Sequence, residues 1–296
     1  MTRLSVTPAA RKPLGTLARI PPRRMDFEFS AGNTQRHYFA ADPARTAFIT
    51  ALSALFPAGE SFFVESVRAY RGRITDPLLK AQVSGFIGQE AMHAKEHKSF
   101  NAAATEHGYP VDQLDGSVRR LLAVVARLPN AICLAVTVCL EHYTGIFAEL
   151  LLRDEELQGS FSPETQKLWL WHALEESEHK CVAYDVYQQH VGSYLLRTLV
   201  MIPTTLIFFA VVTVFYARIV KREAPRLGWR DHRGLLSYLL GRQGKLRRLV
   251  PQYFDFFRPG FHPSQHDTEA LLDDWRTRLF GKGGLLAGQR KDKGTE

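Results

Sequence analysis

The sequence predicts an all-α protein, a four-helix bundle with additional C-terminal helices. Three observations carry that reading. Helical periodicity runs almost without interruption from Pro43 to Phe280, and no run alternates as a strand would. Breakers cut this stretch into four long segments, at about 58–73, 77–105, 130–156 and 163–190. The links at 74–76 and 157–162 are short, so the segments pair as two antiparallel hairpins.

The bulk numbers agree with a folded domain. The chain has 296 residues, of which 45% are apolar and 23% charged, enough for a sizeable core. The net charge is +8, with much of the excess in the first 24 residues and after Lys221. This spread along the ends gives no single nucleic-acid patch, so no nucleic-acid partner is expected. It suits an anionic membrane surface at least as well. Cys133, Cys139 and Cys181 sit in apolar helical runs and read as reduced, buried side chains. The N-terminus is basic but has no apolar core of a signal peptide. The expected location is the cytoplasm or the cytoplasmic face of the inner membrane.

Residues 1–30 carry Pro and Arg without apolar periodicity and are expected to form a mobile basic arm. Residues 31–192 make the bundle, 193–223 a strongly apolar helix, and 224–296 a basic helical extension.

Two long segments carry Glu-x-x-His. The second has Glu90-Ala-Met-His93, followed by His97. The fourth has His172-Ala-Leu-Glu-Glu-Ser-Glu-His179. Residues three apart lie about 60° apart on a helix, so Glu and His can reach one point. A carboxylate and an imidazole at that spacing suit a transition metal ion. One such motif is weak; two on alternate helices, joined by one Glu from each remaining helix, form the ferritin-like dinuclear carboxylate layout.

The missing glutamates follow from height and facing. In the first hairpin the turn is centred near Thr75, and Glu90 lies about 22 Å beyond it at 1.5 Å per residue. Glu60 lies at matching height on the other side, whereas Glu65 would sit about 7 Å too low. Glu60 also shares its face with Phe63, Val64 and Val67, so Glu65 is left to solvent. In the second hairpin Glu141 matches Glu176, and Glu149 and Glu155 stand too near the turn. Glu141 shares its face with Leu134, Val138, Gly145 and Ala148; a carboxylate there needs a partner.

With His172 as reference, Glu176 falls at about +40°, His179 at about −20°, Glu175 at about −60° and Glu178 at about −120°. The expected ligands are therefore Glu60, Glu90, His93, Glu141, His172, Glu176 and His179. Glu175 is the reserve ligand, and Glu178 is assigned to water. His172 is read either as a seventh ligand or as a packing histidine, and His97 as a residue orienting a ligand. His142 points away and reads as structural.

The motifs Leu55-Phe-Pro-Ala-Gly-Glu60-Ser-Phe-Phe63, Ile87-Gly-Gln-Glu90-Ala-Met-His93-Ala-Lys-Glu-His97 and Glu175-Glu176-x-x-His179 resemble the family of predicted metal-dependent hydrolases. Phe257-Arg-Pro-Gly-Phe261-His-Pro263 is similar to that family's C-terminal motif, and the resemblance covers most of residues 30–280. The run at 172–179 also resembles the extra-histidine di-iron N-oxygenases; elsewhere the match to them stops, so their substrate is not carried over.

The segment Leu199–Ala217 has no charge, with Arg197 before it and Arg218, Lys221 and Arg222 after it. Its length suits a bilayer core, while Pro203 and two threonines weaken that reading. A buried helix, a span or embedded hairpin, and a shallow insertion with Arg197 snorkelling stay open. In the last case the basic, aromatic stretch Arg247–Arg258 lies along anionic lipid. The functional expectation is a dinuclear site, iron first and manganese or zinc as alternatives, oxidising a small or lipid-like substrate with dioxygen and an electron donor. The alternatives are a hydrolase using metal-activated water, and a non-catalytic metal-binding or storage protein. Substrate, donor and oligomeric state are not read from the sequence.

Overall fold

The computed structural model describes residues 20–223 and 227–289. Residues 1–19 of the expected arm, and residues 224–226 and 290–296 of the expected C-terminal extension, lie outside the described residues. In chain order the helices are α1 (Pro43–Ser53), α2 (Phe56–Arg68), α3 (Pro77–Glu106), α4 (Val111–Val125), α5 (Asn130–Arg153), α6 (Glu155–Gly159), α7 (Pro163–His179), α8 (Val182–His190), α9 (Tyr194–Glu223), α10 (Trp229–Leu240), α11 (Val250–Asp255) and α12 (Glu269–Phe280). Among the described residues there is no strand, only an isolated bridge between Phe39 and Phe161. The all-α class expected from periodicity is the class observed.

Local chemistry sets the helix starts. Asp42 accepts the N–H groups of Ala44 and Arg45, with Pro43 in the first turn of α1. Asp76 does the same for Leu78, with Pro77 opening α3. Helix α2 packs on α3 and α5 on α7, and the pairs meet through α2–α5 and α3–α7 contacts. These four helices enclose the carboxylates. The segment expected as one helix over 163–190 is interrupted at Lys180 and Cys181. The chain turns there, and Tyr184 of α8 donates to the carbonyl of Phe261 in the C-terminal motif.

Residues 20–30 are not part of a mobile arm. Ile20, Met25 and Phe27 are buried in the core. The segment lies directly on α3 at Gly85 and Gly88, where a Cβ would collide with the Ile20 backbone or the Pro22 ring. Period-two burial at Arg23, Met25 and Phe27, with Arg24, Asp26 and Glu28 exposed, identifies an extended strip that helical periodicity cannot detect.

Helix α9 lies along α5 and α1. Its buried stripe is Arg197, Met201, Thr204, Val212, Phe215, Ile219 and Glu223. Arg197 does not snorkel; it is buried, donating to the carbonyls of Phe256 and Arg258. Three stretches are long and apolar enough to cross a membrane by length and composition: Pro43–Arg73, Asn130–Arg153 and Tyr194–Glu223. The first two are 67% buried within the protein and the third only 22%, so α9 alone keeps most of its apolar surface outward.

Candidate metal centre

Four helices aim side chains at one buried volume. Glu60 comes from α2, Glu90 and His93 from α3, Glu141 from α5, and His172, Glu176 and His179 from α7. They form two groups whose ligand atoms lie within 4.8 Å of one another: Glu60, His93, His172 and Glu176, and Glu90, Glu141, Glu176 and His179. Glu176 belongs to both. Its Oε1 lies 2.9 Å from His172 Nε2 and 3.4 Å from His93 Nδ1, and its Oε2 lies 3.6 Å from His179 Nε2. The seven positions reached by height and angle are thus brought together, while Glu65 stands outside, 67% exposed beside Arg68.

The donor atoms fit metal ions. Both oxygens of Glu60 and Glu141, Oε2 of Glu90 and Glu176 and Nδ1 of His93 are buried without a well-formed hydrogen bond among the described residues, and Glu90 Oε1 meets His179 Nε2 at 2.9 Å. Polar atoms left this way cost about 1–3 kcal/mol each in an apolar interior, and native proteins avoid them. Here they all point at the same two positions. Two divalent cations would satisfy them together, so the centre is built for metal.

Each imidazole is oriented by its other nitrogen, as metal-binding histidines require. His93 Nε2 is 3.1 Å from Glu175, His179 Nδ1 is 3.0 Å from Gln89 Oε1, and His172 Nδ1 is 2.6 Å from His97 Nε2. His97 is held in turn by Ser53 at 2.9 Å, and Ser53 donates to Asn101. Glu175 and His97 therefore belong to neither four-residue group. His142 bonds the Gln252 carbonyl, away from the site.

Glu178 corrects the expectation of a solvated charge. Its carboxylate is buried, accepting from Arg23 at 2.7 and 2.8 Å, from Arg276 at 2.8 Å and from Gln89 at 3.0 Å. Arg23 also donates to Glu175 at 2.9 Å. Gln89 stands inside the Glu90 motif without a ligand's spacing, and Arg23 and Arg276 lie outside every motif singled out above. The alternating pattern over 23–29 is the signal that identifies Arg23; Arg276 carries no comparable one.

Burial first, then the neighbouring Glu90, pushes the Glu60 carboxyl well above its ordinary range. Burial likewise raises Glu90 and Glu141. Burial opposes charge on His93, but its contacts with the Glu175 and Glu176 carboxylates raise it to about 10. Burial also opposes charge on His179, which the glutamates around it, Glu176 foremost, nevertheless hold well above its usual value. Burial and the nearby His93 pull His172 down to about 4. His93, raised to about 10, carries a proton at neutral pH, and metal binding must expel it. Metal uptake is therefore expected to release about one proton or more per chain, with affinity falling as pH falls. Titration with Mn(II) or Zn(II) in weakly buffered solution reads both. Uptake without proton release, at constant affinity across pH, would contradict this assignment of protons.

Fold and centre together define an all-helical protein with a buried histidine/carboxylate centre suited to two divalent metal ions. The chain belongs to the family described as predicted metal-dependent hydrolase, whose model matches residues 21–267. No curated protein and no solved structure matches it.

Proposed function

We propose that the protein is a ferritin-like, di-iron enzyme that uses dioxygen to oxidise a lipid-like organic substrate. The observation that carries this reading is the cavity above the site. It has a volume of about 270 Å³ and begins at Glu60, His172 and Glu176. Phe48, Leu140, Phe147, Phe208 and Val211 are among the side chains that continue it away from the site. Such a wall holds a hydrocarbon chain and offers an ester or phosphate little hydrogen bonding.

Glu60, His93, His172 and Glu176 would hold one ion, and Glu90, Glu141, Glu176 and His179 the other. Two bound irons would supply redox capacity for the balanced reaction R–H + O₂ + 2e⁻ + 2H⁺ → R–OH + H₂O, with electrons from an external donor. The chain's own residues set the geometry. His97 fixes the His172 ring, and Phe56 packs against both at 4.6 and 4.7 Å, keeping water from that side. The apolar wall places a chain beside the cavity-lining ligands.

The family description favours a second reading, hydrolysis by a metal-activated water. Metal analysis and absorption spectroscopy of aerobically purified protein separate the two. About two irons per chain, with an oxo-bridge band lost on reduction, is expected from the ferritin-like dinuclear layout. Stoichiometric zinc with no redox response would replace the oxidation reading with hydrolysis, and iron far above that level would indicate storage.

A further inference from the structure

Helix α9 carries two opposite stripes. The inner one faces the bundle. The outer one runs Leu195, Leu199, Ile202, Leu206 and Phe209, each 39–67% exposed. Their spacing of three and four residues keeps them on one face. Helix α11 lies alongside: Thr205 and Tyr253 share a hydrogen bond at 3.0 Å, and Tyr194 donates to the Phe257 carbonyl at 2.8 Å. Phe254 at 60% exposure and Val250 at 46% widen the same apolar surface. An exposed apolar face this continuous marks a binding surface.

Two features identify what covers it. The first is charge. The segments bearing and flanking this face, 116–140, 193–222 and 232–254, contain no Asp or Glu. They contain Arg119, Arg120 and Arg127, then Arg218, Lys221 and Arg222, then Arg242, Arg247 and Arg248. An apolar face with a mainly cationic rim, where Asp255 at the end of α11 is paired with Arg258 and His266, fits an anionic bilayer. The second is the cavity. Thr204, Ile207, Phe208 and Val211 of α9 line it, and Ile207 is also 47% exposed. Only one helix separates the exposed face from the space above Glu60, His172 and Glu176.

Crossing the bilayer does not fit this packing. Helix α9 is about 45 Å long and is fixed to the bundle at both ends, by buried Arg197 and by Glu223, which pairs with Arg36 at 2.9 Å. A lone span would tear both away.

We propose that the outer face of α9, with α11 beside it, docks on the surface of an anionic bilayer, and that the cavity takes the acyl chain of a membrane lipid from that side. The substrate half rests on the oxidation reading of the site; the docking half does not.

The test uses the full chain and flotation with phosphatidylcholine vesicles, with and without phosphatidylglycerol. Wild type is expected to float, more strongly with phosphatidylglycerol. Leu199→Glu combined with Leu206→Glu should reduce flotation about tenfold or more, with metal content and melting unchanged, because neither side chain lines the cavity. Chain uptake is read with acyl-brominated phosphatidylcholine, which should quench Trp169 in the cavity wall. In a Trp229→Phe background, Trp169→Phe should remove that quenching. Failure of wild type to float, or flotation unchanged in the double variant, overturns docking. A dimer dissolved by the double variant, without flotation, assigns the face to a second copy instead. Quenching unchanged by Trp169→Phe overturns chain uptake. Protein that floats and is quenched but carries zinc keeps docking and chain binding, and loses the lipid chain as a substrate of oxidation.

Discussion

Glu176→Ala is expected to strip both metal ions from the protein. Its two oxygens face different groups, Oε1 toward His93 and His172 and Oε2 toward His179. Glu60→Ala and Glu141→Ala each touch only one group and should each leave about one ion. The affinity loss at a ligand position should exceed the roughly 10–100-fold typical of losing an outer partner. Metal per chain after dialysis reads the result: near two for wild type, near zero for Glu176→Ala. Stability supplies a second readout. Ions binding only the folded state stabilise it by about 4 kcal/mol at a thousand times the dissociation constant. That metal-dependent rise in melting temperature should vanish in Glu176→Ala. Retention of both ions by this variant would remove the shared-ligand assignment.

Arg23→Ala should be the most damaging substitution outside the metal ligands. It takes the guanidinium from two buried carboxylates, leaving Glu175 with His93 alone and Glu178 with Arg276. Breaking a buried ion pair from one side costs about 3–5 kcal/mol, because a desolvated charge is left behind. The pH dependence has a definite sign. Burial opposes ionisation of Glu178, but Arg23 and then Arg276 hold its carboxyl below the ordinary value. A depressed carboxyl contributes stability above the unfolded pKa and loses it as pH falls through the folded value. Wild type should therefore lose more stability than Arg23→Ala on acidification from neutral pH. Urea unfolding at neutral and acidic pH measures both effects; a loss below about 1 kcal/mol at neutral pH would falsify the buried-pair account.

How much of this was legible follows from how each residue is placed. Glu60 and Glu141 could be found because a helix converts residue number into height and angle, and antiparallel partners share both. Glu178 was misplaced by the same rule. The wheel assumes one buried face, but α7 is buried from Leu168 to His179 on all sides. The N-terminal strip and α12 cover the face that α7 turns away from the bundle. Docking of such remote segments leaves no helical period. Glu175 shows the finer limit: angle alone put it beside the ligands, and only Arg23 and His93 reveal that it holds a ligand.

The close seat of the N-terminal strip on Gly85 and Gly88 has a consequence in time. Arg23 meets Glu175 and Glu178 across separations of 152 and 155 residues. At about 5–20 residues per second the ribosome needs roughly 8–30 seconds to make that interval. The strip is thus synthesised before every element it covers, and it can settle only after α7 has joined α3. The contacts that close the outer side of the centre therefore wait for the synthesis of α7, which ties this sealing to the direction in which the chain is made.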